Sequence, residues 1–227
     1  MKKAIVLMLV SVFLVLVASS TYGVTTLFIG KTFEGRGTTT DYQSGITDYS
    51  GDISNTVFNF TNISEIKKIK FDINYETGDF EYRPQTPSLE LWNVQAGYPL
   101  VSRDKGLVYL TLGTVKYAEY SDVYPKHKAT SPMIGFNIIG TPTENIQFEI
   151  DVQHSIFHGG STLYYTSGSS LDYSSPEVTA FKVKVQYNFS DTLGFAIHYQ
   201  ALDVRIDQLQ VDAVDLNTTA AGFIYRF

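Results

Sequence analysis

The stretch that decides the fold is Thr219-Ala220-Ala221-Gly222-Phe223-Ile224-Tyr225-Arg226-Phe227, the last nine residues. Phe223, Tyr225 and Phe227 recur with period two, so in a β-strand all three point to one face. Three aromatics on one side of an unpaired strand would make an aggregating edge in water. In a closed barrel within lipid the strand is paired on both sides and the aromatics meet the membrane interface. Arg226, on the opposite parity, then points into the lumen.

A final strand of alternating aromatics ending on Phe227 resembles the ending of bacterial outer-membrane β-barrel proteins. The resemblance implies that Phe223, Tyr225 and Phe227 form the signal read by the barrel-assembly machinery. It also implies that the chain's other standing partner is outer-membrane lipid, in a Gram-negative-type envelope.

The opposite end agrees. Met1-Lys2-Lys3 is followed by an apolar run from Ala4 to Val17 and then by Ala18-Ser19-Ser20-Thr21-Tyr22-Gly23. A basic start, a short apolar run and small residues describe a secretory signal peptide; a membrane-anchoring helix needs about 20 apolar residues. Residues 1–20 are therefore expected to be the signal peptide, with cleavage between 20 and 23, and residues 21–227 one barrel domain of exported chain. The formal net charge is −6, and it becomes more negative once Lys2 and Lys3 are removed. An acidic balance argues against a nucleic-acid partner. With no cysteine in the chain, disulfide staples, thiolate metal sites and a cysteine nucleophile are all excluded.

No helical period follows the signal peptide. Segments near the ~9–11 residues of a tilted transmembrane strand fall at Val24–Phe33, Ser54–Asn62, Lys67–Tyr82, Ser88–Tyr98, Gly106–Tyr117, Thr130–Gly140, Asn145–Phe157, Glu177–Phe189, Thr192–Val204 and Asn217–Phe227. Short turns at Ile63–Ile66, Thr141–Glu144 and Ser190–Asp191 alternate with long stretches at Glu34–Ile53, Ala118–Ala129, Phe157–Pro176 and Asp203–Leu216. The expected fold class is all-β: a closed, antiparallel, up-and-down transmembrane β-barrel of about 10 strands with the long loops outward. Eight strands is the alternative count, if the first two or the fourth and fifth segments are not membrane strands.

Alternation is clearest in four segments. Ile69, Phe71, Ile73 and Tyr75 oppose Lys68, Lys70, Asp72, Asn74 and Glu76, and Leu193, Phe195, Ile197 and Tyr199 oppose Gly194, Ala196, His198 and Gln200. Ile146, Phe148, Ile150 and Val152 oppose Gln147, Glu149, Asp151 and Gln153. Phe181, Val183, Val185 and Tyr187 oppose Lys182, Lys184 and Gln186. A soluble β-protein would show the same alternation inside out. The signal peptide, Phe227 and two expected girdles favour lipid outside: Tyr98, Tyr187, Phe189, Tyr225 and Phe227 at one end, and Phe33, Phe80, Tyr117, Tyr120 and Phe157 at the other. The charged face then points inward, where Glu149 and Asp151 lie opposite Lys182 and Lys184 and can pair across the ladder, with His198 and Arg226 also facing the lumen.

The expected role is structural or surface-interacting. The outer stretches are rich in Tyr, Ser and Gly, which supply rigid amphipathic contacts and adaptable hydrogen bonds, and Tyr42, Tyr49, Tyr164, Tyr165 and Tyr173 are the contact candidates for an extracellular ligand or surface partner. The alternative is a narrow, porin-like pore for small solutes or ions; a rim lipid hydrolase is a third reading. The stretch His154-Ser155-Ile156-Phe157-His158 resembles the His-x-Ser strand of the lipid A deacylase family, but here His and Ser are adjacent and would face opposite sides of a regular strand. His127 has no evident partner. Asp41, Asp48 and Asp52 match no cation-loop spacing. No catalytic residue, metal site or cofactor is therefore assigned.

Overall fold

A computed structural model of the chain describes residues 23–41, 47–65, 68–81, 86–120, 126–156, 160–164, 170–174, 176–206 and 211–227. The expected signal peptide lies outside them. The strands, in chain order, are β1 (Gly23–Asp41), β2 (Thr47–Ser64), β3 (Lys70–Glu81), β4 (Ser88–Arg103), β5 (Gly106–Tyr120), β6 (Lys126–Gly140), β7 (Ile146–Ser155), β8 (Gly160–Tyr164), β9 (Ser170–Ser174), β10 (Pro176–Asn188), β11 (Leu193–Ile206) and β12 (Val211–Arg226). Each of them pairs antiparallel with its neighbours.

Ten strands close into a barrel, with β8 and β9 as an added hairpin. The order runs β5-β4-β3-β2-β1-β12-β11-β10-β7-β6, and β5 pairs back onto β6. Ten, rather than eight, is the count. The seam between first and last strands is long: β1 and β12 pair from Thr26↔Arg226 to Thr39↔Val214, and the Phe227 amide donates to the Thr25 carbonyl at 2.9 Å. Backbones approach closely at Gly30↔Gly222, where a Cβ on Gly222 would stand 2.1 Å from the Ile29 carbonyl oxygen. Only a residue without a side chain fits there.

Both described ends of the chain and the tight turns share one end of the barrel. β4 continues to Arg103, so the medium connection expected from Leu100 shrinks to Asp104 and Lys105. At the other end the strands run past the length a membrane requires. The expected loop Glu34–Ile53 is largely a hairpin formed by β1 and β2, bulged between Lys31 and Arg36. Within the expected loop Phe157–Pro176 lies the β8–β9 hairpin, whose β8 pairs with Lys126–Thr130 of β6. β6 thus has β7 as its neighbour from Met133 inward and β8 from Thr130 outward. Pro132, which has no N–H to give, sits at the change of partner.

Candidate functional site: a lumen filled in two layers

Along β3, β4, β10 and β11 the facing rule inverts part-way. In the half nearer the tight turns the outside is apolar and the inside polar. On β10, Phe181, Val183, Val185 and Tyr187 face out while Lys182, Lys184 and Gln186 are buried. Two residues further outward the parity is kept but the polarity of the two faces exchanges: Val178 and Ala180 are buried within, and Glu177 and Thr179 face out. β11 repeats this, with His198 and Gln200 giving way inside to Leu202 and Val204, and Ile197 and Tyr199 giving way outside to Asp203 and Arg205. On β3, Lys70, Asp72, Asn74 and Glu76 lead to Phe80; on β4, Gln95 and Asn93 lead to Leu91 and Leu89. The lower half obeys the rule for a wall in lipid. The upper half obeys the rule for a sheet in water, apolar side to the core.

This inversion corrects two expectations. The lumen face is not polar throughout, because its outer half is an apolar core containing Ile53, Leu91, Met133, Leu202 and Leu216. Phe80 and Tyr117 are not girdle residues: both are 0 % exposed inside that core. The aromatics of the outer interface are instead Phe58, Tyr75 and Trp92 on adjacent strands, with Phe58 stacked on Tyr75 and Tyr75 4.1 Å from Trp92 between ring centroids, and Phe181 with Tyr199. Phe33 is exposed and Phe157 lies outside the described residues. At the other interface Tyr98, Tyr187, Phe189, Tyr225 and Phe227 are all exposed, and Phe223 is 62 % exposed on the same face of β12.

The lower lumen holds a charged layer beside a small apolar cluster of Phe28, Val57, Ala196, Ala220 and Ile224. The β7–β10 register sets Lys182 opposite Asp151 and Lys184 opposite Glu149, giving ion pairs of 3.0 and 2.9 Å. Two partners come from across the barrel. Lys70 of β3 bonds Glu149, and Asp72 of β3 stands 3.3 Å from Lys182. Asp72 also accepts from Thr61 at 2.6 Å, Asn59 at 2.9 Å and Gln95 at 3.1 Å. Gln95 donates further to Asp151 at 2.5 Å, and Lys184 donates to Asn59 at 2.8 Å. Three cations and three carboxylates are thus closed on one another with neutral amides between them, as buried charge requires. The space left among Asn59, Asp72, Glu149, Asp151, Lys182, Lys184 and His198 is about 10 Å³, room for no more than about one water. His198 is buried beside this space, edge-on to Phe28 at 5.9 Å.

The other sequence candidates are scattered. Arg226 faces inward but lies outside the ionic layer, at the mouth near the tight turns, with Gln147 and Lys68. His154 faces out, as adjacency to Ser155 requires. Its ring contacts Thr179 Oγ1 at 3.0 Å and Glu177 at 3.6 Å, whereas Ser155 Oγ accepts from the Val178 amide at 3.0 Å. The two side chains have separate partners and form no nucleophile–base contact. Tyr42, Tyr165 and His158 lie outside the described residues. Tyr49, Tyr164 and Tyr173 sit on the backbones of β2, β8 and β9, and His127 on β6. On the β1–β2 hairpin Asp41 lies opposite Thr47 and Asp48 opposite Thr40, while Asp52 lies four residues further along β2, opposite Arg36.

No protein-family model and no curated protein sequence matches the chain. Among solved structures it is similar to the outer membrane protease OmpT from Escherichia coli, with a TM-score of 0.61 at 9 % identity over 90 % of this chain and 97 % of that one. It is also similar to Ail, the attachment invasion locus protein of Yersinia pestis, with a TM-score of 0.42 at 13 % identity over 91 % and 99 % of the two chains. The Neisserial surface protein A gives 0.39 at 10 % identity over 91 % and 97 %. The first likeness establishes the barrel architecture, at an identity that transfers no chemistry. Together with the apolar belt and its flanking aromatics, it gives this chain the architecture of the bacterial outer-membrane β-barrels, in which the short turns lie on the periplasmic side. Neither an enzymatic nor a non-enzymatic role follows from these likenesses.

Proposed function

We propose that the chain is a sealed outer-membrane barrel with a structural and surface-interaction role, whose binding surface is the part of the wall and loops standing outside the membrane. The observation that carries this reading is the doubly filled lumen: an ionic layer within the membrane and an apolar core above it. A pore requires a continuous wet path, and larger barrels than this one provide it. Here a permeating ion would have to cross a dry layer of Ile, Leu, Val and Met side chains, where an unpaired charge is strongly disfavoured. The narrow-pore reading is therefore the weaker one. Among the described residues the rim-hydrolase reading rests on His154, whose described neighbours Thr179 and Glu177 form no nucleophile–base pair with it.

What the lumen does not use, the outside can. The β1–β2 hairpin projects beyond the last β2–β3 pair, Asp52↔Glu81, and carries Tyr49; the β8–β9 hairpin carries Tyr164 and Tyr173. A ligand or surface partner of polar, hydrogen-bonding character suits such Tyr/Ser/Gly surfaces.

The test has two arms. In planar bilayers the reconstituted barrel is expected to give no single-channel steps; sustained conductance would overturn the sealed reading. Deleting Thr40–Gly51 is expected to abolish binding of whole cells to an extracellular matrix or host-cell surface while leaving the barrel folded. Undiminished adhesion by that variant and by one lacking Gly160–Ser174 would overturn the loop role.

A further inference from the structure

The barrel is closed above, but its periplasmic mouth is a dead-end cavity of about 400 Å³. Its floor is the ionic layer: Gln147 and Ile139, which line it, lie one inward-facing position below Glu149 and Asn137. The walls are of two kinds. Val24, Ile63, Leu107 and Ile139 are apolar; Lys68, Arg103 and Arg226 are cationic, with Asp104 the one carboxylate among the lining residues. None of the three cations forms an ion pair with a described residue. The Nε of Arg226 is buried and has no hydrogen-bond partner there. A guanidinium nitrogen withdrawn from water without an acceptor is disfavoured.

A second, independent oddity converges on the same cavity. Lys68 is the single described non-glycine residue with positive φ, at 52°. For a side chain with a Cβ that conformation is disfavoured by about 1–2 kcal/mol, and such local strain clusters where a side chain must be aimed. The Ser64 amide, bonded to the Ile69 carbonyl at 2.9 Å, holds the turn that imposes it, and Lys68 lines the cavity.

We propose that this mouth is a binding pocket for a small amphiphilic anion presented from the periplasm, a carboxylate or alkyl phosphate bearing a short apolar tail. The anionic head meets Arg226 with Lys68 and Arg103 around it, and the tail lies on Val24, Ile63, Leu107 and Ile139. The volume fits a small ligand, and a net cationic rim draws anions in. Because the ionic layer blocks the far side, the pocket retains its ligand and does not pass it on.

The test places the folded, 15N-labelled chain in lipid nanodiscs and titrates hexanoate, inorganic phosphate and hexylammonium. Hexanoate is expected to give saturable shifts at the Arg226 Nε–H and at the Gly106 and Thr141 amides. Phosphate, with charge but no tail, is expected to bind about tenfold more weakly, and hexylammonium not at all. Arg226→Gln is expected to weaken hexanoate about tenfold. Lys68→Ala with Arg103→Gln, both at periplasmic turns outside the closing seam, is expected to do the same and decides the matter if Arg226→Gln fails to fold. Equal shifts with hexylammonium would overturn the charge selection, and phosphate binding as tightly as hexanoate would overturn the role of the apolar wall. Shifts that never saturate, or that persist unchanged in the turn variant, would overturn the pocket.

Discussion

Lys182 shows how much one side chain holds in this barrel. It stands 3.0 Å from Asp151 and 3.3 Å from Asp72, on strands that are not neighbours of one another. Lys182→Met would leave two buried carboxylates short of a cation. It is expected to destabilise the barrel by about 3–5 kcal/mol, the usual cost of stripping one partner from a buried pair, read by urea titration of the barrel in lipid vesicles. Adding Asp151→Asn should restore part of that loss; no change in the midpoint for Lys182→Met would mean that the layer is not the stabilising element described. The pairing of Lys182 with Asp151 was legible in the sequence, because adjacent antiparallel strands bring opposite charges face to face. Lys70 and Asp72 were legible only as inward-facing residues. Their partners lie 79 and 110 residues away across the lumen, and no local pattern encodes which far wall a side chain reaches. For Phe80 and Tyr117 the informative quantity is parity along the strand, which sets both inward, and not distance from a strand end.

At the scale of the element, β12 is the strand that the closed ladder cannot lose. It pairs with β11 from Leu193↔Tyr225 to Ile206↔Val211 and with β1 along the seam. Phe227→Ala, or truncation after Gly222, is expected to lower the amount of heat-modifiable barrel in the outer membrane, measured by gel mobility before and after boiling. Unaltered levels would remove the assembly role of the aromatic face. Gly222→Val should fail more severely, since its Cβ has no room beside the Ile29 carbonyl. The number and order of the membrane strands could be read from the alternation and the tight turns. Their length could not. A strand in lipid is recognised by its apolar outer face, and that face ends at Lys31 on β1, Thr56 on β2 and Thr219 on β12 although hydrogen bonding continues for up to ten residues beyond. Polar stretches such as Gly35-Arg36-Gly37-Thr38 read as loop for want of an apolar stripe, when their burial partners lay on other strands.

For the whole molecule, the change of facing rule marks where the bilayer stops, and one residue is placed to report it. Trp92 is the sole tryptophan of the chain, half-exposed on β4 between Val94 below and Glu90 above. Its fluorescence should be quenched most by lipids brominated near the carbonyl end of the acyl chain and least by lipids brominated near the terminal methyl. Strongest quenching by the deep label would put the boundary elsewhere. The inversion was itself present in the sequence: Val178 and Ala180 share a face with Lys182 and Lys184, and Leu202 and Val204 with His198 and Gln200. Periodicity of a single polarity does not reveal it, because the pattern breaks where the polarity changes although the period continues.

The two facing rules sit end to end on single strands, so the depth of immersion is written into residue order and not into any loop. One residue inserted at the changeover would turn everything beyond it to the wrong side. Two inserted residues would keep every face and lengthen the strand by about 6.6 Å, lifting the outer part away from the membrane. Immersion depth is thereby a quantity this architecture can inherit, adjustable only in steps of two residues and only by strands that change together.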